Sequence, residues 1–178
     1  MACAPNSNII EEKTKSGIKI IYKPKDAVFS SNQLNIIPNR PDFSIDKETA
    51  NKLLNFLSGK FNDKEISIEL DSSICFVDCG ENFEKILCPN CGKEIPGEEW
   101  HEAMDKAYEK NFSDLDFRPQ CCDILTDLNL LNYQSACGFA KSIITIIDPD
   151  IEKLDKAKLL QDIKNICQVD FRIIYAHI

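Results

Sequence analysis

Two β-α-β stretches, one on either side of a thiol-rich middle, predict an α+β protein from this chain of 178 residues. Three observations carry that expectation. Apolar residues alternate with polar ones in short runs and recur at helical spacing in longer ones, which are the signatures of half-buried strands and amphipathic helices. With the middle left aside, the order is β-α-β then β-α-β, the ferredoxin-like arrangement of a sheet with two helices on one face. The middle, about residues 83–127, carries cysteines at the spacing of a zinc-ribbon-like insertion.

Residues 1–16 are polar and aperiodic and are expected to be a flexible N-terminus, with residues 17–178 forming a single domain. Ile18 to Tyr22 reads as a strand closed by Lys23-Pro24, and Gln33 to Ile37 as a second, ended by Pro38. Ser44 or Asp46 caps a helix running to about Ser58, because Ala50, Leu53, Leu54 and Leu57 share one face and Gly59 is a natural stop. Ile66, Ile68 and Leu70 alternate as a strand, and Asp71-Ser72-Ser73 reads as a turn into another strand, Ile74 to Cys79. Within the insertion, Phe83 to Leu87 leads into a Cys-x-x-Cys turn and Lys93 to Ile95 leads out. A helix of about residues 98–110 follows, with Trp100, Met104, Ala107 and Tyr108 as its apolar stripe, and Leu115 to Phe117 returns to Cys121-Cys122. Phe139 to Ile147 is strongly strand-like. Asp148-Pro149-Asp150 is expected to cap a helix of about 151–165, and Gln168 to Ala176 closes as a strand.

Composition narrows the function classes. A hydrophobic content of 43% is enough for a core of ordinary size, so a metal need not supply all the stability. With 21 basic and 29 acidic residues the net charge is −8, which disfavours binding along a phosphate backbone or to anionic lipid. No basic start with an apolar run opens the chain, and no apolar stretch approaches the ~20 residues of a membrane span, so a cytoplasmic location is expected. There thiols stay reduced, and paired cysteines read first as metal ligands.

Nine cysteines are present, and four of them form a split set: Cys88-Pro89-Asn90-Cys91-Gly92 and the adjacent pair Cys121-Cys122. In a Cys-x-x-Cys-Gly knuckle both sulfurs face one side of a tight turn, and the glycine lets backbone amides point at them. Zinc bound by four thiolates is usually structural, since no position is left for water or substrate. Cys88, Cys91, Cys121 and Cys122 are therefore the expected ligands of a structural Zn2+. Adjacent residues of a strand point apart, so both Cys121 and Cys122 reach one ion only through a turn-like backbone. If one of them does not, Cys79, Cys137 and His101 are the replacements. A His or water in the fourth place would reopen hydrolysis, with Glu98, Glu99 and Glu102 as base candidates, although acidic residues belong in a helix's first turn in any case. Redox cycling of Cys88 and Cys91 lacks the helix that lowers a redox thiol's pKa. Cys3 sits in the polar terminus, while Cys75, Cys137 and Cys167 lie among apolar residues and read as small hydrophobes. No Gly-rich phosphate loop, Ser nucleophile elbow or aromatic platform for bases is visible.

From Cys88 onward the chain resembles a group of uncharacterised bacterial proteins. The resemblance rests on Cys88 to Gly92, Trp100, Cys121-Cys122, Leu128-Asn129 with Leu131 and Tyr133, and Gly138-Phe139-Ala140, and it covers about the C-terminal half. Asp123 stands where the group's pattern has Gly, and Cys137 precedes the Gly-Phe-Ala. The resemblance implies a four-thiolate metal site and no activity. Between two apolar runs, Asn129, Asn132, Tyr133 and Gln134 cluster as a possible recognition loop, and a structural turn whose amides satisfy the backbone is the alternative.

These readings point to a non-enzymatic, zinc-stabilised domain that binds another protein, as an adaptor or an immunity-like inhibitor does. A zinc-dependent hydrolase is the alternative, and nucleic-acid binding through the zinc arm is the second, which the net charge disfavours.

Overall fold

The computed structural model describes residues 8–178. The strand-forming runs pair into one six-stranded antiparallel sheet. Its strands are β1 (Ile9–Lys13), β2 (Gly17–Tyr22), β3 (Asn32–Pro38), β4 (Ile66–Val77), β9 (Gly138–Ile147) and β10 (Phe171–His177). The spatial order is β1-β2-β4-β9-β3-β10. The fold is thus α+β, with three α-helices among the described residues: α1 (Lys47–Lys60), α2 (Gly97–Glu109) and α3 (Lys156–Cys167).

Helix α1 begins where the sequence signals it. Asp46 is the N-cap, its carboxylate accepting the Thr49 N–H at 2.8 Å and so satisfying an otherwise orphaned donor. Ala50, Leu53, Leu54 and Leu57 are fully buried. The helix runs past Gly59 to Lys60, because the Phe61 N–H still reaches the Leu57 carbonyl at 2.8 Å.

Three expectations are corrected. Part of the terminus expected to be flexible is a strand: β1 pairs with β2 from Ile9↔Tyr22 to Lys13↔Ile18. Its run Ile-Ile-Glu-Glu-Lys has little apolar alternation because the strand is an edge, where charge is the usual guard against further pairing. Residues 1–7, and Cys3 with them, lie outside the described residues. The expected turn at Asp71-Ser72-Ser73 does not reverse the chain. It is an irregularity within β4, where residues 71–74 face only Lys141 of β9 between the pairs Leu70↔Ser142 and Cys75↔Ala140. On its other edge the strand stays paired, since Gly17 lies opposite Asp71 and the Ser72 N–H reaches the Ser16 carbonyl at 2.9 Å. Finally, α3 starts at Lys156 rather than near 151. The side chain of Asp155 accepts the Lys158 N–H at 2.9 Å and is the effective cap, while Asp148 turns the chain with a φ of +49°.

The two faces of the sheet carry separate cores. Ile144 and Ile146 of β9, Ile66 and Ile68 of β4, and Leu34 and Ile36 of β3 pack with α1 and α3. Residues of the opposite parity, Phe139 and Ile143 of β9, Ile37 of β3 and Ile174 of β10, pack with Trp100, Phe112, Leu128 and Tyr133. Alternation along each strand therefore places the segment between β4 and β9 on the face away from α1 and α3. That segment extends beyond the expected 83–127: β8 (Asn132–Tyr133) pairs with β5 (Ile86–Leu87), and β6 (Asp116–Phe117) pairs with β7 (Thr126–Asp127).

Candidate metal centre

Two short hairpins present the thiols. In the first, the Ile95 N–H reaches the Ile86 carbonyl at 2.9 Å and the Cys88 N–H reaches the Lys93 carbonyl at 2.8 Å, so residues 89–91 make the turn. In the second, the pairs Asp116↔Asp127 and Phe117↔Thr126 hold a turn at 120–122. The two turns are built alike. The Gly92 N–H bonds the Cys88 carbonyl at 2.9 Å, and the Asp123 N–H bonds the Pro119 carbonyl at 2.9 Å, each spanning four residues back. The residue after each turn has positive φ, +73° at Gly92 and +54° at Asp123. Cys122 thus holds the place of Cys91, and Cys121 holds that of Asn90. Because the second pair sits on a turn and not a strand, its adjacent side chains converge where a strand would part them.

The Sγ atoms of Cys88, Cys91, Cys121 and Cys122 all lie within 4.8 Å of one another. Cys91 and Cys121 are 3.4 Å apart, and Cys88 and Cys122 are 3.6 Å apart. A tetrahedron with metal–sulfur bonds of about 2.3 Å has sulfurs about 3.8 Å apart, so the donor set fits one ion. Cys88 is buried, Cys121 and Cys122 are half-buried, and Cys91 is exposed. His101 is not part of this group; its ring packs against Trp100 with centroids 5.0 Å apart. Cys79 and Cys137 meet each other elsewhere, with sulfurs 3.4 Å apart.

The sulfurs differ in their hold on a proton. Burial works against the Cys88 thiolate, but the N–H groups of Cys91 and Asn90 and the neighbouring thiols outweigh it and bring its pKa down to about 7. Burial, with Cys91 and Cys88 adding to it, pushes Cys121 up to about 12. At Cys122 the Ile124 N–H favours the thiolate, yet burial and Cys88 prevail and the pKa is raised. One sulfur is poised to ionise and its charge opposes ionisation of its neighbours, which is the pattern a divalent cation at the centre relieves.

The surrounding side chains fix the turns. Glu99, in the first turn of α2, accepts the Gln120 N–H at 2.6 Å and so ties that helix to the second turn. Trp100 donates its indole N–H to the Tyr133 hydroxyl at 3.2 Å, and that hydroxyl donates to the Leu128 carbonyl at 2.9 Å. A groove of about 350 Å³ beside the second turn mixes Lys106, Lys110 and Arg118 with Glu99, Glu102, Asp114 and Asp116, so charges of both signs line it.

The four residues of the expected recognition loop divide in two. Asn129 is buried, and its side-chain oxygen accepts the Phe139 N–H at 3.0 Å and an Arg172 guanidinium N–H. Tyr133 is buried as well, with its hydroxyl engaged at both ends and its pKa pushed up by burial. Both side chains are thus engaged within the fold. Asn132 and Gln134 are exposed and bond each other at 3.2 Å, so they alone present polar groups to solvent. The exposed Leu130, Ile124 and Leu125 lie on the same segment. No helix among the described residues is long and apolar enough to cross a membrane. No protein-family model, curated protein or solved structure matches the chain.

Proposed function

We propose that Cys88, Cys91, Cys121 and Cys122 hold one structural Zn2+, and that the segment it staples is the binding face of a non-enzymatic, protein-binding domain. The convergence of four sulfurs from two like-built turns, within 4.8 Å of one another, carries the proposal. Four thiolates close a tetrahedral shell and leave no place for the water a hydrolase needs. Glu99, the acidic side chain tied to the second turn, has its carboxylate on the Gln120 N–H.

The finer architecture belongs to the same proposal. The order β10-β3-β9-β4, with α1 following β3 and α3 following β9, supports a ferredoxin-like core to which β1 and β2 are added at one edge. The pair of short hairpins, each ending in a thiol-bearing turn, supports a zinc-ribbon-like arm. The resemblance to a bacterial group with the same cysteine pattern supports the four-thiolate site. A net charge of −8 suits a basic protein partner, and exposed Asn132 and Gln134 beside Leu130 offer it polar and apolar contacts.

The test has two parts. Metal analysis of the purified protein should find one zinc per chain, and cobalt substitution should give the intense sulfur-to-metal charge-transfer bands of a four-thiolate site. A Cys122→Ser change that leaves affinity untouched would remove Cys122 from the ligand set. Proteins retained by the immobilised, zinc-loaded chain should then be lost with an Asn132→Ala, Gln134→Ala double variant. Retention of the same set by both, or hydrolytic turnover that depends on the metal, would sink the binding role.

A further inference from the structure

A second thiol site stands at the root of the arm, away from the four-sulfur cluster. The ladder between β4 and β9 ends at the pair Val77↔Gly138. Cys79 lies just beyond it on one strand and Cys137 just before it on the other, and their sulfurs are 3.4 Å apart. Both residues are buried, at 0% and 4% exposure, and both thiols aim at the same acceptor, the Ser135 carbonyl, at 3.9 and 3.5 Å. The remaining described thiols outside the cluster are placed differently. Cys75 bonds the Ala140 carbonyl at 3.3 Å, and Cys167 packs in the core around α1 and α3.

We propose that Cys79 and Cys137 are a dithiol–disulfide pair whose bond ties the two roots of the arm together. Forming the bond requires the sulfurs to close by roughly 1.4 Å, to a length of about 2.05 Å. All of residues 80–136, the four candidate metal ligands among them, lie inside the loop so closed. Cross-linking the ends of so long a loop restricts the unfolded chain strongly. The oxidant is a low-molecular-weight disulfide such as oxidised glutathione. One protein thiolate attacks its S–S bond, forming a mixed disulfide and releasing one small thiol. The other protein sulfur, on losing its proton, attacks that mixed disulfide and releases the second small thiol, so the pair loses two electrons and two protons and the reagent gains them. Burial, with Cys79 adding to it, raises the pKa of Cys137. The exchange therefore waits on local opening at the root of the arm. The metal staples the far end of the segment and this bond the near end, so the segment stays folded when either is lost.

Incubating the full chain with oxidised glutathione, then chelating, denaturing, alkylating and mapping its peptides, tests the bond directly. The expected product is 2 Da lighter, takes up two fewer alkyl groups and contains linked Cys79 and Cys137 peptides. A Cys88→Ser variant should form the same link, which separates this result from the fate of the zinc proposal. Recovery of both cysteines as alkylated thiols while other cysteines react overturns the proposal, and so does a link confined to the four-sulfur set. A Cys79→Ala or Cys137→Ala variant should lose the linked species. The only tryptophan, Trp100, reads the consequence. After chelation its emission should shift to the red in the reduced protein and stay in place in the oxidised one, and equal shifts in both would overturn the locking role.

Discussion

Asp123 holds a backbone φ of +54°, a conformation that costs most non-glycine residues about 1–2 kcal/mol and Asp somewhat less. Gly92 occupies the matching place in the other turn at +73°, with nothing within 4 Å of an added Cβ. Conformation, not crowding, therefore sets the demand at both. Gly92→Ala is expected to lower stability by about 1 kcal/mol in urea unfolding of the metal-loaded protein, while Asp123→Gly should leave it equal or higher. Asn129 is a different kind of keystone. Its side chain serves the Phe139 N–H, Arg172 and, at 3.4 Å, the Asn39 carbonyl. Asn129→Ala strands those groups and should cost about 1–3 kcal/mol in the same measurement, against under about 0.5 for exposed Gln134→Ala. In the sequence these two residues look alike, since both are amides in one polar cluster. Only burial tells them apart.

At the scale of elements, helices α1 and α3 pack on the face of the sheet away from the thiol-bearing turns. Leu53 and Leu57 of α1 are fully buried in the core shared with α3, on the face away from Trp100. Leu57→Ala should cost about 2–5 kcal/mol, seen as a lower melting temperature, while the charge-transfer bands of the cobalt-substituted protein stay unchanged. Helix α1 was legible because cap and apolar stripe agree, Asp46 setting the start and four buried residues setting the face. Strand β1 was not, because none of its residues is buried and so it writes little apolar pattern into the sequence. The start of α3 was misplaced because Asp148, Asp150 and Asp155 are all plausible caps by composition, and the chain direction after Asp148 decides among them.

For the whole molecule, the proposed metal site would couple ion, protons and the fold of the segment between β4 and β9. Folding lowers the Cys88 pKa to about 7, so that thiolate favours the folded form above its ordinary range and the gain is lost as pH falls through the folded value. Cys121 and Cys122 move the other way and hold their protons more tightly. An ion must displace them, so loading at pH 8 should release at least two protons per metal, measurable with an indicator in weak buffer. Metal affinity should fall as pH is lowered, with Trp100 emission following it. Net release below two protons would show that Cys121 and Cys122 are not both ligands.

By itself the sequence determined what is local. Caps, apolar periodicity and the Cys-x-x-Cys-Gly turn each depend on residues a few positions apart, and α1, the central strands and the Cys88–Cys91 turn follow from them. Tertiary structure decided everything that needs distant segments to meet: the strand order, the pairing of β4 along its full length, the convergence of two turns on one point, and the meeting of Cys79 with Cys137. Those outcomes rest on which surfaces bury each other, and burial is a property of the assembled chain.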